Sequence, residues 1–96
     1  MIYAAVDLGT NAFRLLIVDK DKEVIIRRES EIIGLGSHIN KDKFLFPPPK
    51  YYKVLDKFFK IIKELKVNRI DIVGTSIFRD CRNKDEIKKE FHSKYK

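Results

Sequence analysis

The chain has 96 residues, 44% hydrophobic and 36% charged, a globular composition near the small end of the domain range that allows one domain at most and only a thin core. Lys and Arg number 21 against 14 Asp and Glu, a formal charge of +7. That balance favours polyanions such as polyphosphate, nucleotides or nucleic acid, and equally suits a solubilising surface, because the lysines spread along helical faces and form no block. One cysteine, Cys81, excludes an intrachain disulfide, and no stretch approaches the roughly twenty apolar residues of a membrane span, so a soluble cytoplasmic protein is expected.

Residues 2–6 and 13–18 are short apolar runs bounded by turn or polar residues, the pattern of buried strands. Asp19-Lys20-Asp21-Lys22 is a polar reversal, after which residues 23–33 supply Val24, Ile25, Ile26, Ile32 and Ile33 for a third strand, antiparallel to the second. Gly34-Leu35-Gly36-Ser37 breaks the pattern and a loop runs to Pro47-Pro48-Pro49. An amphipathic helix follows, with Tyr51, Leu55, Phe58, Ile62 and Leu65 on one face and Lys53, Lys57, Lys60 and Glu64 on the other. Tyr52 and Phe59 share its helical spacing and read as packing, not as a base-stacking platform.

Asn68 is expected to close that helix in a left-handed conformation, and residues 70–73 then form a strand parallel to the first. Asn83-Lys84-Asp85-Glu86 resembles a capping box for a last helix with Ile87, Phe91 and Tyr95 on one face. The order β-β-β-α-β-α predicts a mixed α/β sheet covered by helices, in a single unit over residues 1–96. No strand follows the last helix to complete another crossover, so a piece of a larger domain is expected.

Asp7-Leu8-Gly9-Thr10-Asn11 lies between the first two strands. Gly9 lets backbone approach a phosphate, successive N–H groups can form an anion nest, and Thr10 and Asn11 add side-chain donors. Asp7 suits a hydrated divalent cation such as Mg2+ that neutralises phosphate oxygens. A plain hairpin turn uses the same residue types, and a Walker A loop is excluded because an apolar strand follows instead of Gly-Lys-Ser/Thr and a helix. A second constellation, Thr75-Ser76-Ile77-Phe78-Arg79-Asp80, begins where the parallel strand ends, the place where α/β sheets tend to hold ligands. Arg79 offers a donor fork for phosphate oxygens and Ser76 a hydroxyl; a surface ion pair of Arg79 with Asp80 is the competing reading. His38 and His92 stand alone, without zinc-ligand spacing, and read as surface residues.

Ala5-Val6-Asp7-Leu8-Gly9-Thr10-Asn11-Ala12-Phe13-Arg14 resembles the first phosphate loop of the exopolyphosphatase and guanosine pentaphosphate phosphohydrolase family, usually Asp-hydrophobic-Gly-Ser-Asn-Ser-Phe. Thr10 keeps a hydroxyl and Ala12 loses one. Thr75 to Asp80 with downstream Asn83 is similar to its Thr-Ser-Ala-hydrophobic-Arg-Asp motif, and Ile33-Gly34-Leu35-Gly36 to its Leu-Gly loop, in the same order. The resemblance implies a ribonuclease H-like, actin-like ATPase half-lobe. It also implies phosphate-binding roles for Gly9, Thr10, Asn11, Arg14, Ser76 and Arg79, and an Asp7 near the metal.

The family's catalytic glutamate and second glycine-rich phosphate loop have no counterpart here, and Glu86 and Glu90 read as a helix face or cap. By this resemblance the chain is part of a phosphoanhydride hydrolase, expected to bind phosphate without catalysing alone, with polyphosphate or guanosine pentaphosphate and the rest of the family domain as partners. Homo-oligomerisation is left open and nucleic acid is not an expected partner. The alternatives are a fragment of another actin-like ATPase or sugar kinase, and a non-catalytic basic nucleic-acid-binding module.

Overall fold

The computed structural model describes residues 1–95. Strands β1 (Ile2–Leu8), β2 (Ala12–Asp19) and β3 (Val24–Ile32) form two consecutive antiparallel pairs. Helix α1 (Pro49–Glu64) then crosses the sheet to β4 (Arg69–Gly74), which runs parallel to β1, giving the order β3-β2-β1-β4. A short helix α2 (Ser76–Asp80) and a longer α3 (Lys84–Tyr95) follow. The mixed α/β sheet expected from the sequence is present, and among the described residues no helix is long and apolar enough to cross a membrane.

The core sits between one sheet face and the helices. Alternation with period two puts Ala4, Val6 and Leu8 of β1 and Phe13, Leu15 and Ile17 of β2 on the covered face, all buried. Against them α1 lays Tyr51, Val54, Leu55, Phe58, Ile61 and Ile62, the stripe its periodicity predicts. Phe13 and Tyr51 meet edge to face at 5.6 Å, a geometry that adds about 0.5–1.5 kcal/mol beyond area burial. Cys81 is buried, and burial raises its thiol pKa, consistent with packing.

Helix α3 is held to α1 by an aromatic cluster in which Phe59 stacks on Tyr95 at 5.0 Å and meets Phe91 edge to face at 5.8 Å. Two hydroxyls fix the register: Tyr52 donates to Glu90 and Tyr95 to Asp56, each at 2.7 Å. Burial first, and the Glu90 bond second, push the Tyr52 hydroxyl up to about 12. Glu90 is therefore a partner of α1, more than a solvated position on a helix face.

Several local expectations are corrected. The left-handed residue after α1 is Lys66, φ 53°, not Asn68. Val67 N–H donates to Ile62 O and Lys66 N–H to Lys63 O, the Schellman pattern, which ends the helix earlier than Asn68. Asn68 instead clamps β1: its Oδ1 accepts from Ile2 N–H and its own N–H donates to Ile2 O, both at 2.8 Å. Asn83 is no capping-box residue either, because its side chain is committed elsewhere. It accepts from Leu45 N–H at 2.9 Å and donates to Leu45 O at 2.8 Å, pinning the loop before α1. In β3, Val24, Ile25, Ile26 and Ile32 are exposed and only Ile33, just beyond the strand, is buried, since β3 is an edge.

Candidate functional site

The parallel register pairs Asp7 with Val73 and Leu8 with Gly74, so the turn after β1 and the segment after β4 leave the sheet at the same end. They are joined there. Thr75 N–H donates to Leu8 O at 3.2 Å, and the hydroxyls of Thr10 and Thr75 are 3.0 Å apart. The Gly-Leu-Gly loop closes the third side: Leu35 N–H donates to Thr10 O at 2.7 Å, and Ile33 and Gly34 N–H both donate to Asn11 O, at 2.8 and 2.9 Å. Leu35 is fully buried and opens a single 3-10 turn, Leu35–His38, that holds this loop in place.

These bonds use the turn's carbonyls and spare its amides. Gly9 N–H is spent on Ala12 O at 3.0 Å, so the nest expected at Gly9 shifts along the chain. Among the described residues the N–H groups of Thr10 and Asn11 donate to no protein acceptor, which leaves two successive exposed amides of the kind that bind anions. A Cβ at Gly9 would lie 2.6 Å from Ala12 O, closer than such contacts allow, so the tight turn requires glycine there.

The other candidates divide into two groups. Asp7 and Arg14 are cross-strand neighbours on the sheet face that no helix covers, both exposed, with Ser30 of β3 next to Arg14. Their opposite charges at directly facing positions are mutually favourable. Ser76 is exposed at the start of α2. Arg79, on the last turn of α2, donates through Nη1 to Gly74 O at 3.1 Å and forms no ion pair with Asp80 among the described residues. It lines a cavity of about 760 Å³ between β4 and α3 whose walls include Leu8, Ile72, Lys84, Ile87, Lys88 and Phe91. The structure thus unites Thr10 with Thr75 and Asp7 with Arg14, while Arg79 is turned toward Gly74 and away from any bond with Asn11.

Thr75 lies within the second motif yet is not among the site residues expected from the sequence; its position after the last residue of a parallel strand is the signal that could have found it. The Asn83 side chain, matched to the downstream asparagine of that motif, supports the loop before α1 and not the turn. For a cation the donor set is small: among the described residues no three His, Cys, Asp or Glu side chains gather at one place. Asp7 alone fits an ion such as Mg2+, which takes one or two carboxylates and fills the remaining positions with water and phosphate oxygens.

Comparisons with known proteins identify the chain's family and fold. The bifunctional 3-dehydroquinate synthase/phosphatase of Fusobacterium nucleatum is 42% identical over 100 residues, covering 92% of this chain and 15% of that protein. A crystal structure of the Aquifex aeolicus Ppx/GppA family member superposes with a TM-score of 0.83 at 27% identity, over 99% of this chain and 32% of that one. An exopolyphosphatase from Cytophaga hutchinsonii gives a TM-score of 0.85 at 27% identity, again over 99% and 32%. The chain therefore spans about a third of the length of these solved relatives and corresponds to a half-lobe of their actin-like ATPase-type fold. The Ppx/GppA phosphatase family profile matches residues 16–94, and with the three motifs stitched together at one end of the sheet, the chain belongs to that family.

Proposed function

We propose that the chain is the phosphate-gripping lobe of a phosphoanhydride hydrolase that releases terminal phosphate from polyphosphate or guanosine pentaphosphate. The observation that carries this reading is the backbone stitching of the Thr10-Asn11 turn, which ties its carbonyls to Ile33, Gly34 and Leu35 and leaves two exposed amides beside the paired hydroxyls of Thr10 and Thr75. That set offers donors to a phosphate whose charge must be held while an anhydride P–O bond breaks. Asn11 and Ser76 add neutral donors at the rim, and Arg14 and Arg79 add charge. Arg79 reaches the phosphate by exchanging its Gly74 carbonyl for phosphate oxygens, a charge-assisted and therefore stronger bond.

Asp7 would hold a hydrated divalent cation, which would supply charge neutralisation for phosphate oxygens. Arg14, its cross-strand neighbour, places a positive charge opposite that carboxylate. Hydrolysis also needs a carboxylate that positions the attacking water. Glu90 is occupied by Tyr52, and Glu29 and Glu31 by Lys57 at 3.0 and 2.7 Å. No carboxylate of this chain matches the family's catalytic glutamate, so the 96-residue chain is read as binding phosphate without turnover. Lack of a disulfide-forming cysteine pair suits a cytoplasmic setting.

Calorimetric titration of the chain with short-chain polyphosphate in Mg2+ tests the site. Arg79→Ala is expected to weaken binding roughly ten- to a hundredfold, the loss of one charge-assisted hydrogen bond, and Arg79→Lys to recover part of it. The control is Lys60→Ala, which removes an exposed charge from α1; Lys57 would be a poor control because it is already paired with two glutamates. Equal losses for the Arg79 and Lys60 variants would show diffuse charge, not a site, to be responsible.

A further inference from the structure

Building on the phosphate-binding reading of the Thr10-Asn11 turn, we propose that Thr75 is a positioning residue for it. The Thr75 hydroxyl donates to Thr10 Oγ1 and so aims the Thr10 hydroxyl proton at the bound phosphate, without touching the ligand itself. The two hydroxyl oxygens are 3.0 Å apart. Thr10 is exposed and Thr75 half-buried, so a ligand meets Thr10 first. Each hydroxyl carries one proton and two lone pairs; bonded to each other, the pair spends one proton and keeps one. Donation from Thr75 leaves the remaining proton on the exposed member, beside the Thr10 N–H, which donates to no protein acceptor among the described residues. Thr10 then presents two donors, and the second is strengthened by the hydroxyl bonded behind it.

Two further observations assign the Thr75 side chain to this task. Thr75 immediately precedes α2, a position where a threonine hydroxyl commonly accepts from the first free N–H groups of the helix, yet it makes no such bond. Its hydroxyl is committed to the Thr10 turn instead. The Thr10 side chain is fixed from both sides: its Cγ2 lies 3.5 Å from where a Cβ on Gly36 would stand, so the methyl faces the Gly-Leu-Gly loop while the hydroxyl faces Thr75. With a neighbour for each branch, the stiff χ1 torsion of a β-branched residue is held in one rotamer. The Thr75 backbone is anchored separately, through its N–H on Leu8 O at 3.2 Å. Removing the hydroxyl therefore removes the aim and leaves the backbone stitch.

Calorimetric titration of the 96-residue chain with tripolyphosphate in Mg2+ tests the relay as a double-mutant cycle. Thr75→Val is expected to weaken binding roughly three- to tenfold, the loss of one neutral hydrogen bond, and Thr75→Ser, which keeps the hydroxyl, to restore it. Thr10→Val should lose at least as much. Adding Thr75→Val to Thr10→Val should then cost nothing further, because no hydroxyl is left to aim. Thr75→Ala repeats the comparison if urea denaturation shows that valine disturbs the half-buried position. Equal losses from Thr75→Val in both backgrounds would show direct contact with phosphate and overturn the proposal while leaving the phosphate site standing. A Thr75→Ser variant as weak as Thr75→Val, or a Thr75→Val variant that binds like wild type, would overturn it as well. A wild-type chain that does not bind tripolyphosphate would overturn the phosphate reading itself and the proposal with it.

Discussion

The two faces of the sheet share strands and differ in almost everything else. One carries Ala4, Val6, Leu8, Phe13, Leu15 and Ile17, none more than 5% exposed, under the apolar stripe of α1. The other carries Asp7, Arg14 and Leu16 in the open. The contrast separates what folds the chain from what is available to a ligand. A domain of this size is stable by about 5–15 kcal/mol in total, and the covered face has to supply most of it. Charged residues can therefore stand at neighbouring positions on the open face at little cost to folding.

The strongest way to break the comparison is to damage both faces equally and look for equal loss. Phe58 is fully buried under the sheet, and Phe58→Ala is expected to cost about 3–5 kcal/mol, enough to bring a marginal domain close to unfolding. Leu16→Ala on the open face should cost about 1 kcal/mol or less, because its side chain is already 36% exposed. Urea denaturation of the two variants measures both; similar losses would show that the open face is covered in solution.

A second, intermediate effect sharpens the boundary between core and loop. Asn83→Ala leaves Leu45 N–H and C=O without their partner in a part-buried place, at a cost of about 1–3 kcal/mol. Asn83→Asp keeps the acceptor, loses the donor, and should fall between. Hydrogen exchange at the Leu45 amide reads the local opening directly.

The smallest effect concerns the exposed ion pairs of β3. Hydrogen bonds from Arg27 and then Lys57 hold the Glu29 carboxyl below its ordinary value of 4.5. A depressed carboxyl contributes stability above its unfolded pKa and loses it as pH falls through the folded one. Glu29→Gln should therefore lower the urea midpoint slightly at about pH 6, and the difference should shrink as the pH is lowered through the depressed folded-state pKa. A difference that persists at the lower pH would assign the effect to packing.

The covered face is legible in the sequence because a period of two in β1 and β2 and of 3.6 in α1 are direct prints of burial. Tyr51, Leu55, Phe58 and Ile62 stand on the buried stripe for that reason. The convergence of the Asp7 and Thr75 motifs is legible too, since a parallel strand after a crossover must return its C-terminal end to that of β1. Asn68 and Asn83 mislead because asparagine is equally good at left-handed turns, caps and backbone clamps. Only the partner decides among these, and the partners, Ile2 and Leu45, lie 66 and 38 residues away. The spending of Gly9 N–H on Ala12 is hidden for a similar reason, as turn residues advertise a bend but not which of their amides it consumes. The exposure of Ile25 and Ile32 depends on β3 lying at an edge, which strand composition does not encode.

The hydroxyl pair of Thr10 and Thr75 joins positions 65 residues apart, and this separation orders events in time. During synthesis β1, β2 and β3 emerge first and can zip through local hairpins, whereas β4 must wait for α1 and for the closure of a long loop. The centre of the sheet is thus seeded early and completed late. Until β4 docks, β1 has one flank unpaired, the Thr10 turn lacks its partner hydroxyl, and no intermediate on that route has the two motifs joined. Ligand that needs both motifs can then bind only the completed lobe, so it would act on the folding equilibrium from the native side alone, drawing the chain forward without capturing it part-made.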